Sequence, residues 1–251
     1  MNLNSKTYWN NRAKKFGHTG WTDFATYFYD QNLRLNTIKK ILVTSGLKCN
    51  TGLDYGCGTG EFCKMIIEFC DKVIATDISE DVLKMARSKN ADNAIEYLLF
   101  DDSVFKYQYD LILTVTVLQH IIDNNDLAEI INNFKLSLRE NGTIIVFESF
   151  SEQTSTSDFL NLRNAQELQK IFTDSGFVLK TYFNYYHPLT SPTVLFNKYR
   201  TNKFVILLNM LCFFAVPGSR FLLKRIATYV SDKDNGIVHH DTCTKILIFG
   251  K

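Results

Sequence analysis

Proline is scarce in this chain, with three residues in 251, and glycine is modest at twelve. That scarcity excludes collagen-like and low-complexity scaffolds, and an apolar fraction of 45% excludes a chain too polar to bury a core. Neither sign of charge dominates. Lys and Arg number 28 against 26 Asp and Glu, a net +2, which gives no electrostatic reason to expect a nucleic-acid partner. The six cysteines (Cys49, Cys57, Cys63, Cys70, Cys212, Cys243) form no CxxC pair and no zinc-type Cys/His spacing, so no metal site and free thiols are expected. The opening MNLNSKTYWNNRAKKF has no apolar core of signal-peptide type, which reads as cytoplasmic. The longest apolar run, Phe204 to Val216, would make a helix of roughly 20 Å against a hydrocarbon layer of roughly 30 Å, too short to span it alone.

Helix-like apolar spacing runs over Ser5 to Phe16 and Gln31 to Val43, separated by the aromatic stretch GHTGWTDFATYFYD, which suits a segment folded over an entrance. From Gly52 onward, short strand candidates alternate with helices: GLDYG, KVIATD, IEYLLFD, YDLILTVTV and GTIIVFES, with helices over Glu61 to Phe69, Ser79 to Ser88 and Asp126 to Arg139. Asp126 and Glu129 stand at capping-box spacing, and Asn141-Gly142 stops that helix. A helix over Asn164 to Ser175 leads into the strand FVLKTYF, and TKILIFGK supplies a last strand able to pair with it. This alternation predicts an α/β fold, a seven-stranded, doubly wound, Rossmann-like sheet. The expected parts are an N-terminal helical cap (1–45), the core (46–183), a helical lid inserted between the last two strands (184–242) and a final core strand (243–251).

The segment Asp54-Tyr55-Gly56-Cys57-Gly58-Thr59-Gly60 sits where a strand turns into a helix, and its glycines let backbone approach a ligand. Alone, such a loop also fits an ordinary tight turn. Asp77 ends the next strand and is placed to accept from both ribose hydroxyls of an adenosine ligand, with Ile78 beside it. A dinucleotide site would prefer its third glycine one residue later, and Asp54 would repel a pyrophosphate while attracting an ammonium group.

LDYGCGTG resembles motif I of the class I S-adenosylmethionine-dependent methyltransferases, and the resemblance extends over about Leu33 to Phe150. It implies S-adenosyl-L-methionine as cofactor, held by Asp54, Gly56, Cys57, Gly58, Thr59, Gly60, Asp77 and Ile78. In LLFDDS, Asp101 matches the family's adenine-binding acid, with Asp102 serving if the register slips. DLILTVTVLQHI is similar to the DVVxCxEVLEHV segment of ubiquinone-biosynthesis O-methyltransferases, which places Thr114, Val115 and Gln119 beside the methionine moiety. Asn32-Leu33-Arg34-Leu35 resembles their NPLRL segment, in which the arginine meets the cofactor carboxylate. As a plain helix residue, Arg34 would be a solvated charge. Thr116 and Gln119 stand where acids are common in those relatives, which argues against metal-assisted catechol chemistry. A weaker similarity, carried by the YWNNRAKKFGHTGW entrance, is to bacterial methyltransferases that tailor surface polysaccharides.

His120 is the first candidate for a base, since it leaves the fourth strand at the sheet's carboxyl end and imidazole titrates near neutrality. His18 and His187 are second candidates, in segments expected to fold over cofactor and acceptor. The resemblance implies transfer to a small polar acceptor, most simply at oxygen: a sugar, or a phosphorylated or phosphoramidate-type precursor. The rivals are a lipid or quinone O-methyltransferase, an N-methyltransferase and a non-catalytic cofactor-binding protein. The run Phe204 to Val216, flanked by Lys198, Arg200, Lys203, Arg220, Lys224 and Arg225, has to be hidden across an acceptor pocket, on a membrane surface, or against a second copy in a homodimer.

Overall fold

A computed structural model of the protein describes residues 3–251, with side chains from residue 5 onward. Helices α1 (Leu3–Phe16) and α2 (Phe24–Ser45) precede β1 (Cys49–Tyr55), α3 (Glu61–Ile66), β2 (Cys70–Asp77), α4 (Glu80–Lys89) and β3 (Ile95–Leu99). Then come β4 (Tyr109–Val115), α5 (Asn124–Ser137), β5 (Leu138–Ser149), the short pair β6 (Ser155–Thr156) and β7 (Asn161–Leu162), α6 (Ala165–Asp174) and β8 (Val178–Tyr185). Helices α7 (Val194–Arg200), α8 (Lys203–Phe213) and α9 (Ser219–Ser231) follow, with β9 (Ile237–Val238) and β10 (Thr244–Gly250) after them.

The central sheet has the order β3-β2-β1-β4-β5-β10-β8. Its first five strands are parallel, and β10 runs antiparallel to β5, pairing Thr244 with Ser149 through Gly250 with Thr143. Burial on both faces explains the continuous apolar runs: Val73, Ile74 and Ala75 of β2 and Leu111, Ile112 and Leu113 of β4 are all fully buried. After β1 the chain winds outward to β2 and β3, then returns to β4 on the other side of β1. The direction of winding therefore reverses between β1 and β4, and such a reversal opens a crevice at the carboxyl ends of the strands.

Three local expectations are corrected. The capping box at Asp126 is displaced, because Asp123 caps α5 by accepting from the Asn125 and Asp126 amides at 2.6 and 3.3 Å. That helix also ends at Ser137, before the Asn141-Gly142 stop, because Leu138 is buried and pairs with Tyr109 as the first residue of β5. Free thiols were expected throughout, yet Cys49 and Cys70 form a disulfide while Cys57, Cys63, Cys212 and Cys243 are free. Those two positions face each other in the parallel β1/β2 register with Cα atoms 4.5 Å apart, a proximity that spacing along the chain does not reveal.

Contacts divide the chain into two compact units, one of residues 1–19, 47–183 and 243–251, the other of residues 20–46 and 184–242. The stretch 1–45 is thus shared between them. In the first unit, a cluster including Leu53, Tyr55, Ile112, Phe134, Val146, Phe172 and Phe249 packs helices on the sheet. Lys14 of α1 pairs with Asp81 of α4 at 3.0 Å, which ties the entrance helix to the core. In the second unit, α2 starts earlier than its apolar spacing suggests because Asp23 accepts from the Thr26 amide at 2.6 Å. Asn32 and Asn36 of α2 donate to Asp232 just past α9, each at 2.8 Å. The last residues of β8, Asn184 and Tyr185, pair with Val238 and Ile237 of β9.

Candidate active site

The glycine loop follows directly from β1, and both Gly56 and Cys57 donate to the Thr76 carbonyl of β2 at 2.8 Å. Gly56 holds φ at 75°, and a β-carbon there would lie 2.4 Å from the Val117 side chain in the loop leaving β4. Only glycine lets those two loops meet. Gly58 holds φ at 54°, and a β-carbon would come within 2.8 Å of Thr19 Oγ1 in the entrance segment. Arg12 of α1 fixes that segment by donating to the Thr19 carbonyl at 2.9 Å, and Lys89 holds the Gly17 carbonyl at 2.8 Å. Thr59 donates to the Glu61 carboxylate at 2.8 Å, and Gly60 precedes α3.

The loop is flanked by acids. Asp54 is buried and accepts from the Cys63 thiol at 3.0 Å; burial, with Glu61 and Asp77 nearby, pushes its pKa up to about 7. Asp77 accepts from the Gly58 amide at 3.1 Å and from the Ser79 amide at 3.0 Å. Desolvation raises it to about 6, against donation from the amides of Ser79, Gly58 and Ile78. Asp101, exposed at the end of β3, caps the following turn through the Ser103 amide at 2.7 Å, and that bond holds its carboxyl below the usual range; Asp102 beside it is exposed.

At the end of β4, Thr114 is fully buried and Val115 pairs with Phe147. Thr116 takes φ at 55°, a left-handed conformation costly for a β-branched residue, and its amide donates to the Phe147 carbonyl at 2.7 Å. Next in the chain, Gln119 and His120 leave the strand. His120 Nδ1 lies 2.9 Å from the Phe159 carbonyl, so Nδ1 carries the hydrogen, and Gln119 Nε2 lies 3.4 Å from its Nε2. The Trp9 ring meets the imidazole edge-on at 4.9 Å, while Tyr8 stacks on Phe159 at 5.2 Å. Burial lowers the His120 pKa and keeps the ring neutral.

Two buried polar side chains that the sequence did not flag hold this loop. Glu148 Oε1, on β5, accepts from the Val117 and Leu118 amides at 2.8 and 2.7 Å, and burial pushes the carboxyl up to about 8. Arg163 donates to the carbonyls of Leu118 and Ile121 at 3.2 and 2.7 Å. Both line a small cleft together with Gln119, Ser149 and Asn161. The only sequence signal was a Glu near the end of an apolar strand.

The other candidates are distributed over the two units. His18 belongs to the first unit, buried against Phe16 with ring centroids 6.0 Å apart. Arg34 and His187 belong to the second unit. Arg34 pairs with the buried Asp30 at 2.8 Å, and Trp21 donates to the same carboxylate at 2.7 Å. His187 Nδ1 accepts from the Leu189 and Thr190 amides at 3.3 and 3.2 Å, a turn cap, and its pKa is lowered by burial.

Residues 53–146 match the family model for a methyltransferase domain. A malonyl-(acyl-carrier protein) O-methyltransferase of Acetivibrio thermocellus is 24% identical over 153 residues, which cover 59% of this chain and 53% of that protein. The chain thus spans about half the length of that relative. The N-terminal Xaa-Pro-Lys N-methyltransferase 1 of Mus musculus is 26% identical over 193 residues, 70% of this chain and 83% of that protein. In fold, the chain is similar to an S-adenosylmethionine-dependent methyltransferase from Clostridium acetobutylicum, with a TM-score of 0.57 and 13% identity over 88% of this chain and 91% of that one. Residues 53–146 thus carry a methyltransferase domain, and the chain has the fold of the class I S-adenosylmethionine-dependent methyltransferases.

The residues of this methyltransferase fit that cofactor on electrostatic grounds. Asp54, Glu61 and Asp77 surround the loop closely enough for the latter two to raise the Asp54 pKa, so the field there favours a ligand bearing ammonium and sulfonium charges over a pyrophosphate. Among the described residues, no group of three or more His, Cys, Asp or Glu side chains is placed to hold a metal ion. No described helix is long and apolar enough to cross a membrane.

Proposed function

We propose that this methyltransferase transfers a methyl group to an oxygen of a small polar acceptor, with His120 as the general base. The observation that carries the reading is the fixed tautomer of His120: Nδ1–H is committed to the Phe159 carbonyl, which leaves Nε2 as the proton acceptor. When bound, S-adenosylmethionine would supply the electrophilic methyl carbon, with its sulfur as the leaving group. His120 Nε2 takes the hydroxyl proton as the acceptor oxygen forms its bond to carbon. Glu148 and Arg163 act as positioning residues: they hold the amides and carbonyls of the loop that carries the imidazole.

In the same reading, Asp77 binds the ribose hydroxyls, the backbone of Gly56, Gly58 and Gly60 lies along the cofactor, and Asp54 faces its ammonium group. Asp101 or Asp102 takes the adenine amino group, and Thr114, Val115 and Gln119 border the methionine chain. His18, His187 and Arg34 serve as secondary contacts, Arg34 through its guanidinium, and residues 184–242 contribute acceptor recognition. A hydroxylated sugar or phosphorylated precursor is the acceptor class this favours. Transfer to nitrogen is the second reading, favoured by the similarity to the N-methyltransferase of Mus musculus over 70% of the chain.

Turnover of labelled S-adenosylmethionine against a panel of sugars, phosphosugars and amines tests the assignment. Replacing His120 by alanine should lower turnover on a hydroxyl acceptor by about 10²–10⁴ with cofactor affinity nearly unchanged. A loss below about tenfold would reduce His120 to loop packing, the outcome expected for an amine whose lone pair is already free.

A further inference from the structure

In the second unit, α8 presents an exposed apolar surface to which the methyltransferase reading assigns no chemistry. Val205, Leu208 and Cys212 form its buried side, yet the opposite side is apolar as well: Phe204 and Leu207 are each 51% exposed and Met210 is 54% exposed. A helix apolar on all sides ordinarily lies wholly inside a protein or a membrane. The turn that follows, residues 213–218, contains no polar side chain and is exposed throughout, with Phe214 at 77%. Phe221, in the first turn of α9, is 65% exposed. The two helices therefore form a hairpin with an apolar tip and an apolar outer side.

Charge identifies what covers it. From Ser175 to Ser231 the sequence has no Asp or Glu, and Val194 to Ser231 carries Lys198, Arg200, Lys203, Arg220, Lys224 and Arg225. That segment alone has a formal charge of +6 in a chain whose total is +2, so the remainder is net acidic. Lys203 stands at the start of α8, and Lys224 and Arg225 lie just beyond Phe221, all exposed. A second copy of the same face would set these cations against each other. An anionic bilayer surface matches both properties, with apolar groups entering at headgroup depth while the bases meet lipid phosphates. At 11 residues, α8 is too short to cross a bilayer.

We propose that the α8–α9 hairpin docks this protein reversibly on anionic membrane surfaces, with Phe214 and Phe221 inserted and Lys203, Lys224 and Arg225 on the headgroups. The inference stands independently of which acceptor is methylated.

Co-sedimentation of the full chain with vesicles of phosphatidylcholine, and of phosphatidylcholine mixed with phosphatidylglycerol, tests it, with circular dichroism confirming that each variant is folded. The wild-type chain should pellet with the mixed vesicles and be released by salt. Lys224→Glu/Arg225→Glu should weaken partitioning at least about 25-fold, taking roughly fivefold for each lost base. The exposed substitutions Phe214→Ser and Phe221→Ser should weaken it while preserving the fold. No binding to mixed vesicles, equal binding to both vesicle types, or binding indifferent to these variants would overturn the proposal. So would light scattering that shows a stable dimer dissolved by Phe214→Ser, which would assign the face to self-association. Because neither readout uses methyl transfer, a negative result leaves the enzymatic reading intact, and an inactive enzyme that still binds vesicles leaves this one intact.

Discussion

Replacing Glu148 by glutamine removes a buried ionisable group while keeping its outline. The carboxyl lies between the amides of Val117 and Leu118 and is raised by burial from 4.5 to about 8. In the unfolded chain it titrates near its ordinary value, so between the two pKa values the folded state holds a proton that the unfolded state lacks. A raised folded pKa contributes stability that is complete below the unfolded value and lost as pH rises through the folded one. The loss is about 1.4 kcal/mol per pH unit, or about 3 kcal/mol between about pH 5 and pH 7.5. Glutamine does not titrate, and its Oε1 can accept the same two amides. The stability of Glu148→Gln relative to wild type should therefore climb with pH by about 1.4 kcal/mol per unit, whatever fixed packing cost the amide adds. Urea unfolding midpoints at several pH values between about 5 and 8 read this difference directly. A gap that stays constant across that range, or that narrows as pH rises, would refute a protonated Glu148 as the strut of the His120 loop.

Asp77→Ala should weaken S-adenosylmethionine binding by about 1.5–3 kcal/mol, the worth of charge-assisted hydrogen bonds to the ribose, measured by calorimetry; unchanged affinity would remove the residue from the site. Gly58→Val should abolish cofactor binding in a folded protein, because φ is 54° and the new side chain would meet Thr19; equilibrium dialysis checks it. With Asp54 raised to about 7, binding of a cationic ligand should favour the ionised carboxyl, so affinity should rise with pH up to about 7 and then level off. The accompanying proton release is read by calorimetry in buffers of different ionisation enthalpy.

The parallel strands were legible because they are buried on both faces: VIA in β2 and LIL in β4 leave no other reading at that length. The glycine loop was legible because its positive φ angles demand glycine. What escaped notice depends on neighbours distant in sequence. Glu148 and Arg163 clamp a loop about 30–45 residues away in the chain, and neither follows a spacing rule. The start of α2 was missed because Phe24, Tyr27 and Tyr29 pack as helix residues although their local pattern is simply aromatic. Arg34 reads as a surface charge on its own helix until Asp30, one turn earlier, is seen to be buried with it.

The place of β10 in the sheet bears on how the chain is made. This strand, residues 244–250, lies between β5 (138–149) and β8 (178–185), although the whole of the second unit's 184–242 segment is synthesised before it. As the polypeptide emerges from the ribosome, β5 and β8 each present an open edge with no partner, because the strand that joins them has not yet been translated. Val146 and Phe147 of β5, fully buried in the finished sheet, belong to such an edge throughout that interval. Unpaired apolar edges invite association between nascent chains. Growth temperature and translation rate during expression should therefore affect the soluble yield of this protein.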